Sequence, residues 1–352
     1  MKDDLNAPIL LLGHHGMVGS AIHKKLKSRG YRNILLRDID DIDLRRQEEV
    51  EKLFAFEKPD YVFLAAAKVG GIVANDTYKA EFIYDNMAIA LNVINSAYEN
   101  GVNKLLNLGS SCIYPKYAPQ PMKEDHLLSG KLESTNEPYA IAKISAIKLC
   151  RYYNEQYGTD FISVMPTNLY GLNDNYNLET SHVLPALVRK IILAKALMEN
   201  DYETLRKDIE KRTLGFGLDK EITDDDKSIK NALEKTGINQ DSVEIWGTGN
   251  VRREFMHAND MADACVYFME NVSEWDMGEF VNLGTGIDIS IRELAETIKN
   301  IVGYEGELRF NPGKPEGAPR KLLDVSRARS LGWEARISLE KGIKMVIDNY
   351  MK

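Results

Sequence analysis

Along the first half of the chain, short apolar runs alternate with longer amphipathic stretches. Residues 9–12, 33–37, 61–67, 104–109 and 161–165 are rich in Ile, Leu, Val, Phe and Ala. Such compact runs predict strands buried on both faces of a parallel sheet. Between them, 17–29, 47–57 and 82–99 carry apolar residues at helical spacing, as does a stretch that opens at Pro138 and runs to Tyr157. Pro138 suits a first helical turn, where its missing N–H is no loss. Strand and helix in strict alternation predict an α/β fold built on a doubly wound parallel sheet. Beyond Tyr170 the rhythm weakens. A helix led in by Ser181-His182-Val183-Leu184-Pro185 is expected to continue to about 212. Gly215-Phe216-Gly217 breaks it, and a second helix near 225–235 closes at Gly237. Further strands are expected at 243–246 and 280–283. Further helices are expected from Asp260, over 291–302 with Ser290 as its cap, and over 339–350. The pattern divides the chain into a dinucleotide-binding domain, 1–170, and a smaller C-terminal α/β substrate-binding part, 171–352, which returns in part to the sheet. Within the latter, 201–241 reads as a charged insertion, an exposed decoration that could also lie over the active site. Asp224-Asp225-Asp226 lacks the alternation of a calcium loop and reads as a helix start.

Composition narrows the classes. A formal net charge of -8 over 352 residues argues against nucleic acid as the main partner. No apolar run approaches the roughly 20 residues of a membrane helix, and the polar N-terminus lacks a signal core. Cys112, Cys150 and Cys265 are far apart and show no metal-ligand spacing, so no metal is expected. A reduced, cytoplasmic compartment is the simplest setting.

Two motifs carry chemistry. Gly13-His14-His15-Gly16-Met17-Val18-Gly19 stands between the first strand and the first helix. There the glycines permit a tight turn, close approach to a pyrophosphate and helix-on-strand packing. About 20 residues on, Asp38 is placed to accept hydrogen bonds from ribose hydroxyls, which favours NAD(H). Arg37, His14 and His15 could instead meet a 2′-phosphate, and the residues alone leave this choice open. The second motif surrounds the fourth strand's end. Tyr139 and Lys143, four apart on a helix, share one face. An ammonium beside a phenol is expected to lower its pKa from about 10. Ser110, at the strand end, can hold the same substrate oxygen. Asn86 reads equally as a polar core residue or a backbone clamp near the nucleotide. Arg253, Lys314 and Arg320 would suit a diphosphate if they converge.

The segments 13–19, 65–75, 108–116, 135–143, 165–171, 181–187, 253–257 and 314–324 resemble the extended short-chain dehydrogenase/reductases, and within them the GDP-L-fucose synthase group. The resemblance spans nearly the whole chain. It implies reduction of the 4-keto group of a GDP-4-keto-6-deoxy sugar by NADP(H), with prior epimerisation at carbons 3 and 5, in a homodimer formed through 82–99 and 139–157. It assigns Tyr139 as the proton donor, Lys143 to the nicotinamide ribose and Ser110 to the carbonyl. Cys112 and His182 fall on the epimerisation pair. Ala65, Ala66, Pro166, Leu169, Asn168 and His182 join the glycine loop as cofactor contacts. Ser111, Cys112, Asn168, Lys190, Trp246, Arg253 and Lys314 are implied as contacts to the GDP-linked keto sugar. His15 and Ile39 stand where the family often has Arg, which with Asp38 keeps NAD(H) open. The long 201–241 segment suits a different sugar such as a GDP-4-keto-heptose, reduced with or without epimerisation. A 4,6-dehydratase would carry Asp-Glu after Ser110, whereas Ser111-Cys112 stands here. A non-catalytic binding module would lack Tyr139 or Lys143.

Overall fold

The computed structural model describes residues 1–223, 225–314 and 316–352. Asp224, of the expected helix start, and Pro315, of the basic loop, lie outside the described residues. In chain order the first half comprises β1 (Ile9–Leu12), α1 (Met17–Ser28), β2 (Ile34–Arg37), α2 (Gln47–Glu57) and β3 (Tyr61–Leu64). It continues with α3 (Ile72–Thr77), α4 (Lys79–Glu99), β4 (Lys104–Leu108), α5 (Glu137–Tyr157), β5 (Phe161–Pro166) and β6 (Asn168–Tyr170). Next come α6 (Val183–Met198), α7 (Tyr202–Lys211), α8 (Asp226–Lys235), β7 (Ser242–Trp246), β8 (Arg252–His257) and α9 (Ala258–Asn271). The chain ends with α10 (Glu274–Met277), β9 (Val281–Leu283), β10 (Asp288–Ser290), α11 (Ile291–Val302), β11 (Glu307–Asn311), β12 (Arg320–Lys321), α12 (Ser326–Ser330) and α13 (Leu339–Tyr350).

The main sheet has six strands in the order β2-β1-β3-β4-β5-β9, all parallel. Alternate residues of each strand feed opposite cores. Ile9, Leu11, Phe63 and Leu106 face α1 and α9, while Leu10, Leu12, Val62 and Leu105 face α2, α4 and α5. The strand order reverses between β1 and β3, and such a reversal leaves a crevice at the carboxyl ends where ligands bind. Late elements come back to this sheet: β9 pairs with β5 and α9 packs on α1. The remaining strands form a second sheet, in which β8 pairs with β6, β10 and β12, and a separate β7–β11 pair. No helix among the described residues is long and apolar enough to cross a membrane.

The structure corrects two expectations for 201–241. The long helix does not continue to 212. It stops at Met198, Asn200 takes a positive φ of 55°, and the Asp201 side chain accepts from Thr204 N to start α7 afresh. Nor is the segment an exposed decoration. Leu205, Leu214, Ile229, Ala232, Leu233 and Ile238 are buried in one core with α6, α11 and α13. Fully buried Arg189 of α6 fastens it further. Its guanidinium donates to Asp208 at 2.9 and 2.8 Å and to the carbonyls of Tyr176, Arg212 and Thr213 at 2.9, 2.7 and 2.6 Å. Periodicity identified the amphipathic helices here, but charge on their outer faces hid the inner ones.

Candidate active site

The turn after β1 sets the first wall. Gly13 has a φ of +86°, and an added Cβ would lie 2.8 Å from the Ala66 backbone. A Cβ at Gly19 would run into the Gly13 carbonyl. Only bare backbone fits, and it leaves the amino end of α1 open to an anion. His14 Nδ1 is buried there without a hydrogen-bond partner among the described residues. These features fit a dinucleotide held by 13–19. At the ribose end, the Asp38 carboxylate accepts from His15 N at 3.1 Å and lies between the imidazoles of His14 and His15, at 3.9 and 3.6 Å. Arg37 is turned away. Its guanidinium pairs with Glu57 and donates to its neighbour's carbonyl. Its expected contact with the cofactor is thereby corrected, because β2 directs this side chain toward α2. Asn86 proves to be the clamp: its amide accepts from Lys68 N and donates to Lys68 O, both at 3.0 Å, fixing the loop after Ala65 and Ala66.

A cavity of about 620 Å³ opens beyond this turn. Ser110, Ser111, Cys112, Tyr139, Asn168, Leu169, His182, Lys190, Trp246, Arg253 and Lys314 all line it. β4 ends in a 3-10 turn, Ser111–Ile113, which aims Ser110 and Cys112 inward. The Ser110 hydroxyl accepts from Cys112 N at 3.4 Å and sits close enough to Tyr139 and to the Cys112 thiol to oppose the rise of both pKa values. Phe82 of α4 packs edge-on against the Tyr139 ring, with centroids 6.3 Å apart. Lys143 donates to Leu108 O at 2.8 Å and lies 5.7 Å above the Tyr139 ring. Pro166 ends β5, and Asn168 donates to Glu254 O at 2.8 Å. The Met17 sulfur of the glycine loop borders Gly171, and Val18 packs in the core beneath.

Protonation in the free protein differs from the expectation that Lys143 acidifies Tyr139. Burial raises the Tyr139 pKa, the Cys112 charge raises it further, and only the Ser110 hydrogen bond opposes. The lysine sits over the ring rather than beside the hydroxyl, and its proton serves a carbonyl. Tyr139 is therefore a fully protonated phenol, which is the form a proton donor needs. Burial pushes Lys143 down to about 8, with Cys112 opposing. The Cys112 thiol is raised by burial against the pull of Ser110, Lys321 and Lys143. His182 is exposed to the cavity, yet protein crowds it closely enough that desolvation, then the Lys321 charge, lowers its pKa. Its backbone starts α6, but its side chain caps nothing and is left for the cavity.

The far end of the cavity is cationic. Lys190 donates to Glu244 O at 3.0 Å, and burial pushes it down to about 8. Arg253 donates to the carbonyls of Arg252 and Glu316 at 2.8 and 3.0 Å. Lys314 lies 5.4 Å over the Trp246 ring. The expected convergence of Arg320 is corrected. It pairs with Asp288, and its neighbour Lys321 lines the cavity instead, since successive residues of β12 point to opposite faces. Lys321 was missed because a two-residue strand carries no readable period. Also missed were Glu133, Asn136 and Ser181, and Phe216, Leu218 and Lys235 of the 201–241 segment, all of which line the cavity. Asn136 Oδ1 and Ser181 Oγ are buried without partners among the described residues, a cost that a polar ligand would relieve.

Comparison with known proteins adds kinship to this geometry. Residues 9–219 and 213–284 match the NAD dependent epimerase/dehydratase family. GDP-L-fucose synthase 1 of Arabidopsis thaliana is 48% identical over 349 residues, covering 99% of this chain and 94% of the relative. GDP-L-fucose synthase of Escherichia coli K12 is 48% identical over 341 residues, covering 95% and 94%. Among solved structures, the GDP-mannoheptose C4 reductase MlghC of Campylobacter jejuni, with NADP bound, superposes with a TM-score of 0.87 at 41% identity and covers 99% of both chains.

Proposed function

This chain belongs to the NAD dependent epimerase/dehydratase family, and on that premise we propose that it makes a GDP-L-fucose-type product from a GDP-4-keto-6-deoxy sugar. It epimerises carbons 3 and 5 and reduces the ketone at carbon 4. The observation that carries this reading is the meeting of Ser110, Cys112, Tyr139 and His182 on one cavity, in a chain nearly half identical to GDP-L-fucose synthases.

The chemistry follows from where the protons sit. The ketone acidifies the protons on its neighbouring carbons. His182, whose pKa burial lowers, is a free base, and Cys112 can deliver or accept a proton opposite it. Ser110 holds the ketone oxygen, and the buried Tyr139 hydroxyl gives it a proton. A reduced nicotinamide supplies the hydride when bound. Residues 13–19 with Ala65, Ala66, Pro166, Leu169 and Lys143 would hold it. Lys190, Arg253 and Lys314, around Trp246, suit a nucleoside diphosphate. The cofactor is NADP(H), as in MlghC, with weak discrimination against NAD(H), because Asp38 rather than a guanidinium faces the 2′ position. The functional unit is a homodimer: α4 leaves Tyr84 and Leu91 exposed, and α5 leaves Ile141 and Tyr152 exposed.

A second reading, C4 reduction of a GDP-4-keto-heptose without epimerisation, is favoured by Phe216, Leu218 and Lys235 entering the cavity. Mixing the protein with each keto sugar and reduced cofactor, and following the nicotinamide absorbance band, tests the proposal. Oxidation with the 6-deoxy-hexose is expected; oxidation with the heptose alone would replace the first reading by the second.

A further inference from the structure

Four cations other than Lys321 line the cavity, and each has a protein partner. Lys190 is held by Glu244 O and Arg253 by two carbonyls. Lys235 pairs with Glu221 and Lys314 sits over Trp246; Lys143, over the Tyr139 ring and outside the lining, is held by Leu108 O. Lys321 has no hydrogen bond or ion pair among the described residues. β12 turns it inward, while Arg320 on the opposite face is used up by Asp288. Its charge acts on Cys112 and on His182, and it is packed closely enough for burial to disfavour the ammonium. An unpartnered ammonium facing a thiol and an imidazole is expensive to keep unless negative charge forms beside it.

We infer that Lys321 is the positioning cation of the epimerisation pair, offsetting the thiolate that forms on Cys112 when its thiol gives a proton to the carbon from the face opposite His182. The inference rests on the proposed epimerisation. The groups facing Cys112 are Ser110, Tyr139 and Lys143 from β4 and α5, His182 ahead of α6, Glu133 from the preceding loop, Arg253 from β8 and Lys321 itself. Tyr139 is a neutral phenol, and Lys143 and Arg253 are committed to carbonyls. Glu133 accepts from Thr135 and pairs with Lys116 at 3.7 Å. Lys321 is thus the charge left to offset a thiolate. The same ammonium disfavours imidazolium, so before the step His182 is a neutral base and Cys112 a protonated thiol: the imidazole takes the proton from one face, the thiol gives its own to the other, and the thiolate left behind is the charge Lys321 meets.

The test reads the thiol directly and needs no turnover. Alkylation of Cys112 by iodoacetamide is followed across pH by peptide mass spectrometry in the folded wild type and in Lys321→Met, Lys321→Gln and Lys321→Arg. Cys150 and Cys265, buried in the cores, serve as controls for intact folding. The midpoint of Cys112 alkylation should rise by about one to two pH units in Met and Gln and return in Arg. Equal midpoints in all four proteins would overturn the inference. With substrate in deuterated solvent, Lys321→Gln should slow isotope entry at carbons 3 and 5 at least tenfold more than reduction of a pre-epimerised sugar. Equal slowing of both would assign Lys321 to substrate binding and also overturn the inference. Absence of isotope entry in the wild type would instead sink the epimerase reading, leaving the alkylation result to judge Lys321 on its own.

Discussion

Replacing Arg189 by Met tests whether 201–241 is a working part of the molecule. Arg189 is fully buried and binds Asp208 of α7 together with three carbonyls, Arg212 O and Thr213 O inside the segment and Tyr176 O ahead of α6. One of those carbonyls, Tyr176 O, belongs to the loop that leads to His182. That loop is tied again by Leu178 N to Leu214 O at 3.0 Å and by Phe216 N to Glu179 at 2.6 Å. Methionine fills the aliphatic space but leaves three carbonyls without donors. Asp208 would keep Arg212, at 3.0 Å, and the Tyr350 hydroxyl, so its charge is not wholly abandoned. Breaking a buried pair from one side costs about 3–5 kcal/mol. Spread over the unfolding entropy of 352 residues, that lowers the melting temperature by roughly 4–7 °C. Calorimetry and urea titration of wild type and variant measure it. Because the lost bonds hold the His182 loop, isotope exchange should fall more than ketone reduction. A loss under about 1 kcal/mol, with exchange intact, would mean that the segment is only loosely attached and the reasoning fails.

Further outcomes follow from the site. Tyr139→Phe should lower the reduction rate by about 10²–10⁴-fold while cofactor affinity by titration stays within about twofold; turnover near wild type would remove the phenol from the reaction. Cys112→Ser should slow deuterium entry at carbons 3 and 5 more than reduction of a pre-epimerised sugar, and equal rates of exchange in both proteins would reject it as part of the pair. Asp38→Ser removes the carboxylate facing the 2′ position and should shift the ratio of kcat/KM toward NADPH roughly tenfold, about 1.4 kcal/mol; an unchanged ratio would show that Asp38 does not read the ribose. Lys143 loses its proton near 8 in the folded protein and near 10.5 unfolded, so its charge is fully present below 8 and gone from the fold above it. Reductase kcat/KM should therefore fall above about pH 8, and Lys143→Arg should move that limb past pH 10. The burial cost of the charge is relieved over the same 8 to 10.5 window, so Lys143 contributes a rise in stability with pH there, which denaturant titrations of wild type and Lys143→Met would detect.

The parallel sheet was legible because β1, β3, β4 and β5 are compact apolar runs separated by amphipathic helices, and because Gly13–Gly19 stands between strand and helix. β6, β10, β11 and β12 were not, being too short or too mixed for a period. The same shortness hid Lys321 and made Arg320 look like the ligand. Tyr139 and Lys143 could be placed on one face by spacing alone, but the direction of the tyrosine's pKa shift could not. It depends on burial under Phe82 and on a carbonyl, Leu108 O, brought to Lys143 from β4. Charge likewise misled at 201–241, where the apolar faces of α7 and α8 meet partners from α6 and α13 far along the chain.

The central claim is that one cavity both moves protons beside a ketone and reduces it. NMR of the product formed from GDP-4-keto-6-deoxy-mannose and NADPH in deuterated water reads both events at once. The account predicts a reduced sugar with inverted configuration and deuterium at carbons 3 and 5. A reduced sugar carrying protium at both carbons with their configuration unchanged would contradict it.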